Sequence, residues 1–214
     1  MTFQILLPST LQPFGHALVR SLFQSERDVS PKGITVLVRG EVLAFPSRVY
    51  CAPDRLHAVV DHATADARKL ALCFGTRHHD GHIREACLRR LGAMDTPWAI
   101  PFWIQLLGEY VVEIAEVVVE AVASADPTEL ADFVTGNPGF MATTRRRVIS
   151  YWDCYHRDRW STVTTYPAMV ALNAIARVAT RSVASDYPPL TQEQHQLIAL
   201  AEPATRGPVL DRLV

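Results

Sequence analysis

The sequence predicts an all-α fold, a short stack of helix pairs with a small helix and β-hairpin cap at its N-terminal end. Apolar triplets recur every thirty residues through the middle of the chain, and polar N-cap residues precede them in the same register. Short polar or Gly-containing links separate the helices. The predicted division is a capping segment over residues 1–52, helical repeats over 53–160 and capping helices over 161–214.

The N-terminal cap is predicted from two kinds of local signal. Apolar residues around Leu18 and Leu22 predict a helix over 9–24. Two apolar runs follow at 34–38 and 41–45, and the two-residue Arg39-Gly40 link between them indicates a β-hairpin. A hairpin alone is only marginally stable, so we expect it to cover the end of the stack. A helix over 54–63 begins the stack itself.

The repeat is carried by triplets with the i, i+3, i+4 spacing of an amphipathic helix, beginning with Leu70, Cys73 and Phe74. The predicted A helices cover 66–75, 97–107 and 127–135, and the predicted B helices cover 82–91, 111–123 and 142–155. Stacked pairs of this size bury a continuous core that no single pair can bury. The residues expected to be buried are Leu70, Phe74, Ile83, Cys87, Ile100, Ile104, Ile114, Val118, Phe133 and Ile149.

Helix starts support the same register. Asp66, Thr96 and Asp126 are good N-cap residues, and Pro97 and Pro127 suit the first helical position. After the repeats, a long helix is predicted over 166–183, and a capping box at 191–194 begins a last helix to about 201. The alternative is a non-repeating helical bundle whose stripes match by chance.

The run from His82 to Gly92, followed by the run from Thr96 to Gly108, resembles HEAT repeats of the short type. Arg84 matches the B-helix arginine of that family, and Ala99-Ile100-Pro101 and Leu106-Leu107 match its A helix. The resemblance covers residues 66–155 and fades toward the end, where Ala115 and Arg146 stand at the equivalents of Arg84. It implies an armadillo-like α-solenoid, and it implies little about function, because such arrays include scaffolds, adaptors, bilin lyases and DNA glycosylases.

Charge and composition exclude several classes of protein. Lys and Arg number 21 and Asp and Glu 22, so the net charge of −1 argues against nucleic-acid binding through an overall basic field. The densest apolar stretch, 99–123, carries four glutamates, and the first residues lack a basic leader, so we expect a cytoplasmic protein without a membrane span. The four cysteines form no CxxC pair and are expected to be reduced thiols.

The first candidate for chemistry is the turn 78–82, where His78, His79, Asp80 and His82 lie close enough in sequence to hold a divalent metal. Metal-dependent HD phosphohydrolases use such groups, but they need further ligands on other helices that the sequence does not offer. We therefore predict no metal and no cofactor, with His78 and His79 exposed on a turn and Asp80 capping the next helix.

The second candidate is the basic segment 145–160, which includes Arg145, Arg147, Arg159 and Trp160. HEAT-like DNA glycosylases use aromatic side chains and a carboxylate in a basic groove, so a nucleic-acid-directed enzyme is one alternative. A metal-dependent enzyme at 78–82 is the other. No nucleophile motif, P-loop or dinucleotide motif is present, and no catalytic residue is assigned.

The preferred hypothesis is a non-catalytic scaffold or adaptor that binds another protein on its B-helix face. Glu109, Glu113, Glu116 and Glu120 are spaced as one solvated helical face, and Arg89–Glu120 and Glu116–Arg147 are expected to pair between neighbouring B helices. A negative stripe between positive ones repels phosphate at its centre and suits a protein of mixed charge. The predicted binding residues are Arg84, Arg89, Glu113, Glu116, Glu120, Arg146 and Arg147.

Overall fold

The structure, a computed structural model, describes residues 3–186. It is mostly helical, with 66% helix, and the described residues also contain a two-stranded sheet. The last helix expected after residue 191 lies outside this range. The elements are α1 (Gln12–Leu22), β1 (Gly33–Val38), β2 (Glu41–Pro46), α2 (Pro53–His62), α3 (Ala65–Gly75), α4 (Gly81–Leu91), α5 (Ile100–Leu107), α6 (Val112–Val122), α7 (Pro127–Gly136), α8 (Pro138–Tyr151) and α9 (Pro167–Asp186).

The predicted hairpin is confirmed. Strands β1 and β2 pair antiparallel with Val38 opposite Glu41, which leaves a two-residue turn. Arg39 and Gly40 have φ values of 51° and 79°. Left-handed backbone at both positions gives a turn whose twist matches that of the strands, so the short link closes the hairpin without splaying it.

The hairpin is held on the helices by an aromatic contact and by an asparagine. Phe45 of β2 stacks on Phe102 of α5 with ring centroids 4.1 Å apart. Asn137, just before α8, accepts a hydrogen bond from the Leu37 amide at 2.7 Å and donates to the Leu37 carbonyl at 2.8 Å. The hairpin therefore packs against α5 and the end of α7, which belong to the second and third predicted pairs, and not against the first end of the stack as expected.

The six helices of the predicted repeat are present, with α8 beginning at Pro138 instead of residue 142. Carboxylate caps explain two of the starts. Asp80 accepts a hydrogen bond from the His82 amide at 2.8 Å, and Asp126 accepts from the Thr128 and Glu129 amides at 2.9 and 3.0 Å. These bonds satisfy amides that a helix N-terminus leaves unpaired.

The helices pack in sequence through the first part of the chain and in a different order after α6. Helix α2 packs on α3, α3 on α4, α4 on α6, and α5 on α6. Helix α9 then makes its largest contacts with α7 and α6. Met169, Leu172 and Ile175 of α9 are buried, whereas α8 buries only Thr144 and Val148. The more apolar helix therefore supplies most of the surface against α6 and α7.

Eight of the ten residues predicted to be buried lie in the core, but Ile83 is only half-buried and Ile149 is 41% exposed. The prediction for Ile149 is wrong because the inner stripe of α8 passes through Thr144 and Val148, one position earlier. One hydrophobic cluster continues from Leu7 through the repeat helices to Ile175 of α9.

Candidate functional site

Glu109 lies in the link between α5 and α6, and its side chain is only 3% exposed. Helix α5 ends at Leu107 with Gly108 as its C-cap, and α6 begins at Val112, so Glu109 is not part of either helix. The prediction that Glu109 belongs to a solvated helical row is therefore wrong. Glu113, Glu116 and Glu120 of that row are exposed on α6.

Three arginines from three different segments surround the Glu109 carboxylate. Arg48, which follows β2, places Nη1 2.6 Å from Oε1, and Arg77, in the link after α3, places Nη2 2.9 Å from the same oxygen. Arg84 of α4 places Nε 2.8 Å from Oε2. Arg77 and Arg84 are 1% and 2% exposed, whereas Arg48 is 31% exposed. One carboxylate thus joins the hairpin segment, the α3–α4 link and α4.

Arg84 therefore does not lie on a partner-binding face, which corrects its predicted role. Its guanidinium also donates hydrogen bonds from Nη1 to the His78 and His79 carbonyl oxygens, both at 2.9 Å. The sequence carried a signal for this burial, because Arg84, Cys87, Leu88 and Leu91 share the i, i+3, i+4, i+7 stripe of α4.

The electrostatic balance of the cluster favours an ionised carboxylate. Burial alone would raise the pKa of Glu109, but the charges of Arg77, Arg48 and Arg84 outweigh burial and hold that pKa below its usual 4.5. Burial lowers the pKa of Arg77 to about 10, so its guanidinium stays charged at neutral pH. Three positive charges thus face one negative charge, and the surplus is positive.

The hydrogen bonding of the cluster is incomplete. Arg77 Nε is buried and has no hydrogen-bond partner among the described residues. Arg84 Nε and Glu109 Oε2 are close enough for an ion pair, but the orientation of the N–H group gives no hydrogen bond between them. A buried donor without a partner is costly unless a ligand or water completes it.

A cavity of about 260 Å³ opens beside these arginines. Arg147 of α8 forms part of its wall, and the chain can approach there because residue 108 is glycine: a Cβ at that position would lie 3.2 Å from Arg147 Cδ. We call this space the arginine cavity, and it is lined by Ser47, Arg48, Arg77, Gln105, Gly108, Glu109, Arg147 and Tyr151.

Next to the cavity lie three tyrosines, which we call the tyrosine cluster: Tyr110, Tyr151 and Tyr155. Their ring centroids are 6.1–6.4 Å apart. Tyr110 and Tyr155 are 55% and 69% exposed. The cluster is held in place because His156 Nε2 lies 2.9 Å from the Tyr110 carbonyl oxygen, which joins the π-helical turn Trp152–His156 to the start of α6. Sequence reasoning missed both the cavity and this cluster.

The other predicted binding residues, Arg89, Glu113, Glu116, Glu120, Arg146 and Arg147, are exposed. The ion pairs expected between B helices are not among those in the described residues. Arg89 pairs instead with Glu85 one turn away at 2.9 Å, and the nearest cation to Glu116 is Arg159 at 3.9 Å. Both are exposed pairs that contribute little to stability.

The predicted exposure of the histidine turn is correct for His79 and wrong for His78. His78 is fully buried, with Nε2 3.0 Å from the Cys51 carbonyl oxygen and Nδ1 accepting from the Asp80 amide at 3.1 Å. Both ring nitrogens are therefore used in hydrogen bonds to the backbone of the protein. Within residues 3–186 no group of three His, Cys, Asp or Glu side chains is placed to hold a metal ion.

In the basic segment, Arg145 and Arg146 are exposed, and among the described residues the arginines that lie over the tryptophan rings are Arg157 and Arg159. Arg157 lies 5.1 Å from the centre of the Trp152 ring and Arg159 4.4 Å from that of Trp160. Trp152 also donates a hydrogen bond from Nε1 to the Trp160 carbonyl at 2.8 Å. Residues 152–160 are thus held in place by contacts within the segment.

Comparison with protein-family models, with curated proteins and with solved structures finds no match to this chain. Among the helices of the described residues, none has the length and apolar character needed to cross a membrane.

Proposed function

We propose that this protein is a non-catalytic interaction module that binds another protein beside α6. The observation that carries the proposal is the exposed tyrosine cluster, which adjoins the three carboxylates on the solvent face of that helix. Tyrosine and arginine are, with tryptophan, the side chains enriched at the energetic centres of protein interfaces. Grouped tyrosines therefore favour a protein partner.

The charges on this surface favour one kind of partner. Glu113, Glu116 and Glu120 present three negative charges, and within the described residues the nearest cation to any of them is Arg159, 3.9 Å from Glu116. Arg89 and Arg146 are exposed on helices α4 and α8. We infer a partner surface of mixed charge, with basic side chains opposite α6 and acidic ones opposite these arginines.

The HEAT-like interpretation and a cytoplasmic location are part of the same proposal. The α3–α4 and α5–α6 pairs, with α4 packed beside α6, support two HEAT-like units. Cys51, Cys73 and Cys87 are buried free thiols, which is typical of proteins in a reducing compartment.

The test begins with capture of partners from an extract of the native cell and continues with the purified partner. We expect Glu116→Arg with Glu120→Arg to abolish capture while the fold stays intact, because both side chains are exposed. Tyr155→Ala should weaken binding of the purified partner by about thirtyfold, the loss typical of an interface hot spot.

The matched control is Glu26→Arg with Asp132→Arg, which changes the net charge equally at two exposed positions on other elements. It should keep the partner. The proposal is wrong if the α6 double variant retains every partner, or if the purified protein binds duplex DNA with a strong salt dependence and binds no protein.

A further inference from the structure

We propose that the arginine cavity binds the phosphate group of a small phosphate ester. The proposal goes beyond the protein contact at α6, because it concerns a different class of ligand, although the cavity shares Tyr151 with the tyrosine cluster. It rests on the charge, the free donors and the size of the cavity.

The net positive charge of the cavity favours the binding of an anion. Arg48, Arg77 and Arg147 line it, Arg84 lies behind Glu109, and Glu109 is the only carboxylate among the lining residues. Both Glu109 oxygens already lie 2.6–2.9 Å from arginine nitrogens. Four positive charges against one negative charge leave a surplus that a dianion neutralises better than a monoanion does.

The donors of the cavity are available. The side chains of Gln105, Arg147 and Tyr151 line the cavity and make no hydrogen bond in the part of the chain that the structure describes, and Arg48, which is 31% exposed, lines it too. Arg77 contributes its charge, because its unpartnered Nε is buried away from the cavity surface. Arginine forks bind phosphate oxygens with paired, charge-assisted hydrogen bonds. A phosphate group in the cavity would therefore meet the free donors of Arg147, Gln105 and Tyr151.

The size and the rim of the cavity favour an ester over the free ion. A volume of about 260 Å³ is far more than one water needs and slightly below the range of drug-sized pockets. Tyr151 lines the cavity and belongs to the tyrosine cluster, with Tyr155 6.1 Å away. The organic part of an ester can lie against these rings while its phosphate faces the arginines.

The experiment is calorimetric titration of the full chain, in a phosphate-free buffer, with phenyl phosphate, inorganic phosphate and benzoate. We expect phenyl phosphate to bind more tightly than inorganic phosphate, because only the ester has a ring for the tyrosines. Benzoate should bind weakest, because it carries a single charge. Equal affinity for phenyl phosphate and inorganic phosphate would overturn the assignment to an ester.

The variant Arg147→Gln tests the cavity without disturbing Glu109, because Arg147 is exposed and makes no ion pair in the described residues. It should weaken the binding of phenyl phosphate by about tenfold or more, because losing a hydrogen bond to a charged group has an effect of that size. Arg147→Lys should bind with intermediate affinity, since it keeps the charge and loses the fork.

The matched control is Arg145→Gln, which removes the same charge from an exposed position two residues away on α8. It should bind phenyl phosphate as the wild type does. No binding of either phosphate ligand, or an equal loss in Arg147→Gln and Arg145→Gln, would overturn the proposal. Unchanged thermal unfolding midpoints of both variants establish that binding, and not folding, has changed.

Discussion

Replacing Glu109 by glutamine removes the only negative charge that faces Arg77 and Arg84 in the cluster while keeping the shape of the side chain. These two guanidiniums are 1% and 2% exposed, so their charges stay buried after the substitution. Arg48, at 31% exposed, can be solvated by water and contributes less to the loss. Breaking a buried ion pair from one side costs about 3–5 kcal/mol.

For a chain of this size each kcal/mol shifts the thermal midpoint by about 2–4 °C, so Glu109→Gln should lower it by about 6–20 °C. Urea unfolding, monitored by circular dichroism, measures the same loss of stability as a free energy of unfolding. The control is Glu120→Gln, an exposed carboxylate on α6, which should stay within about 0.5 kcal/mol of wild type.

The dependence on pH follows from the direction of the pKa shift. Because the folded protein holds the pKa of Glu109 below 4.5, the stability that this group contributes is present above pH 4.5 and is lost as the pH falls through the folded value. The gap between wild type and Glu109→Gln should therefore narrow in acid. A loss below 1 kcal/mol, or a gap that does not change with pH, would refute the ion-cluster argument.

Three further predictions concern Asn137, the histidines of the 78–82 turn and the cysteines. Asn137→Ala should cost about 1–3 kcal/mol in urea unfolding, because the backbone of Leu37 loses two hydrogen bonds to it; a change below about 0.5 kcal/mol would contradict this. His78→Ala should destabilise the protein more than His79→Ala, which should cost at most about 0.5 kcal/mol. Burial lowers the pKa of His78 from 6.5, so its contribution should be lost as the pH falls below 6.5, and equal costs for the two variants would contradict its structural role. A thiol reagent followed by mass spectrometry should label Cys154 in the native protein and leave Cys51, Cys73 and Cys87 unlabelled, because these three are buried and burial raises their pKa; rapid labelling of Cys73 would show that α3 is not packed as described.

Local signals predicted the elements well. Arg39-Gly40 specified a two-residue hairpin turn, and Asp80 and Asp126 marked helix starts that their side chains do cap. These features depend on residues within a few positions of one another, so sequence spacing is sufficient to identify them. The same reasoning was wrong for Asp66, which lies inside the first turn of α3, and for Thr96, whose side chain makes no cap hydrogen bond.

The site depends on contacts that spacing does not encode. Glu109 and Arg48 are separated by 61 positions, and Asn137 and Leu37 by 100. The even spacing of Glu109, Glu113, Glu116 and Glu120 favoured one exposed row, although Gly108 already ends α5 before Glu109.

The choice between α8 and α9 as the partner of α6 likewise depends on which helix buries more apolar surface. That comparison requires the three-dimensional packing, in which α9 buries Met169, Leu172 and Ile175.

The most direct test of the ion cluster is the titration of the Glu109 carboxyl carbon by ¹³C NMR, assigned by its absence in Glu109→Gln. The structure predicts a midpoint below 4.5, because Arg48, Arg77 and Arg84 stabilise the ionised form. A midpoint at or above 4.5 would show that burial outweighs the arginines, and the central charge arrangement of the site would then be wrong.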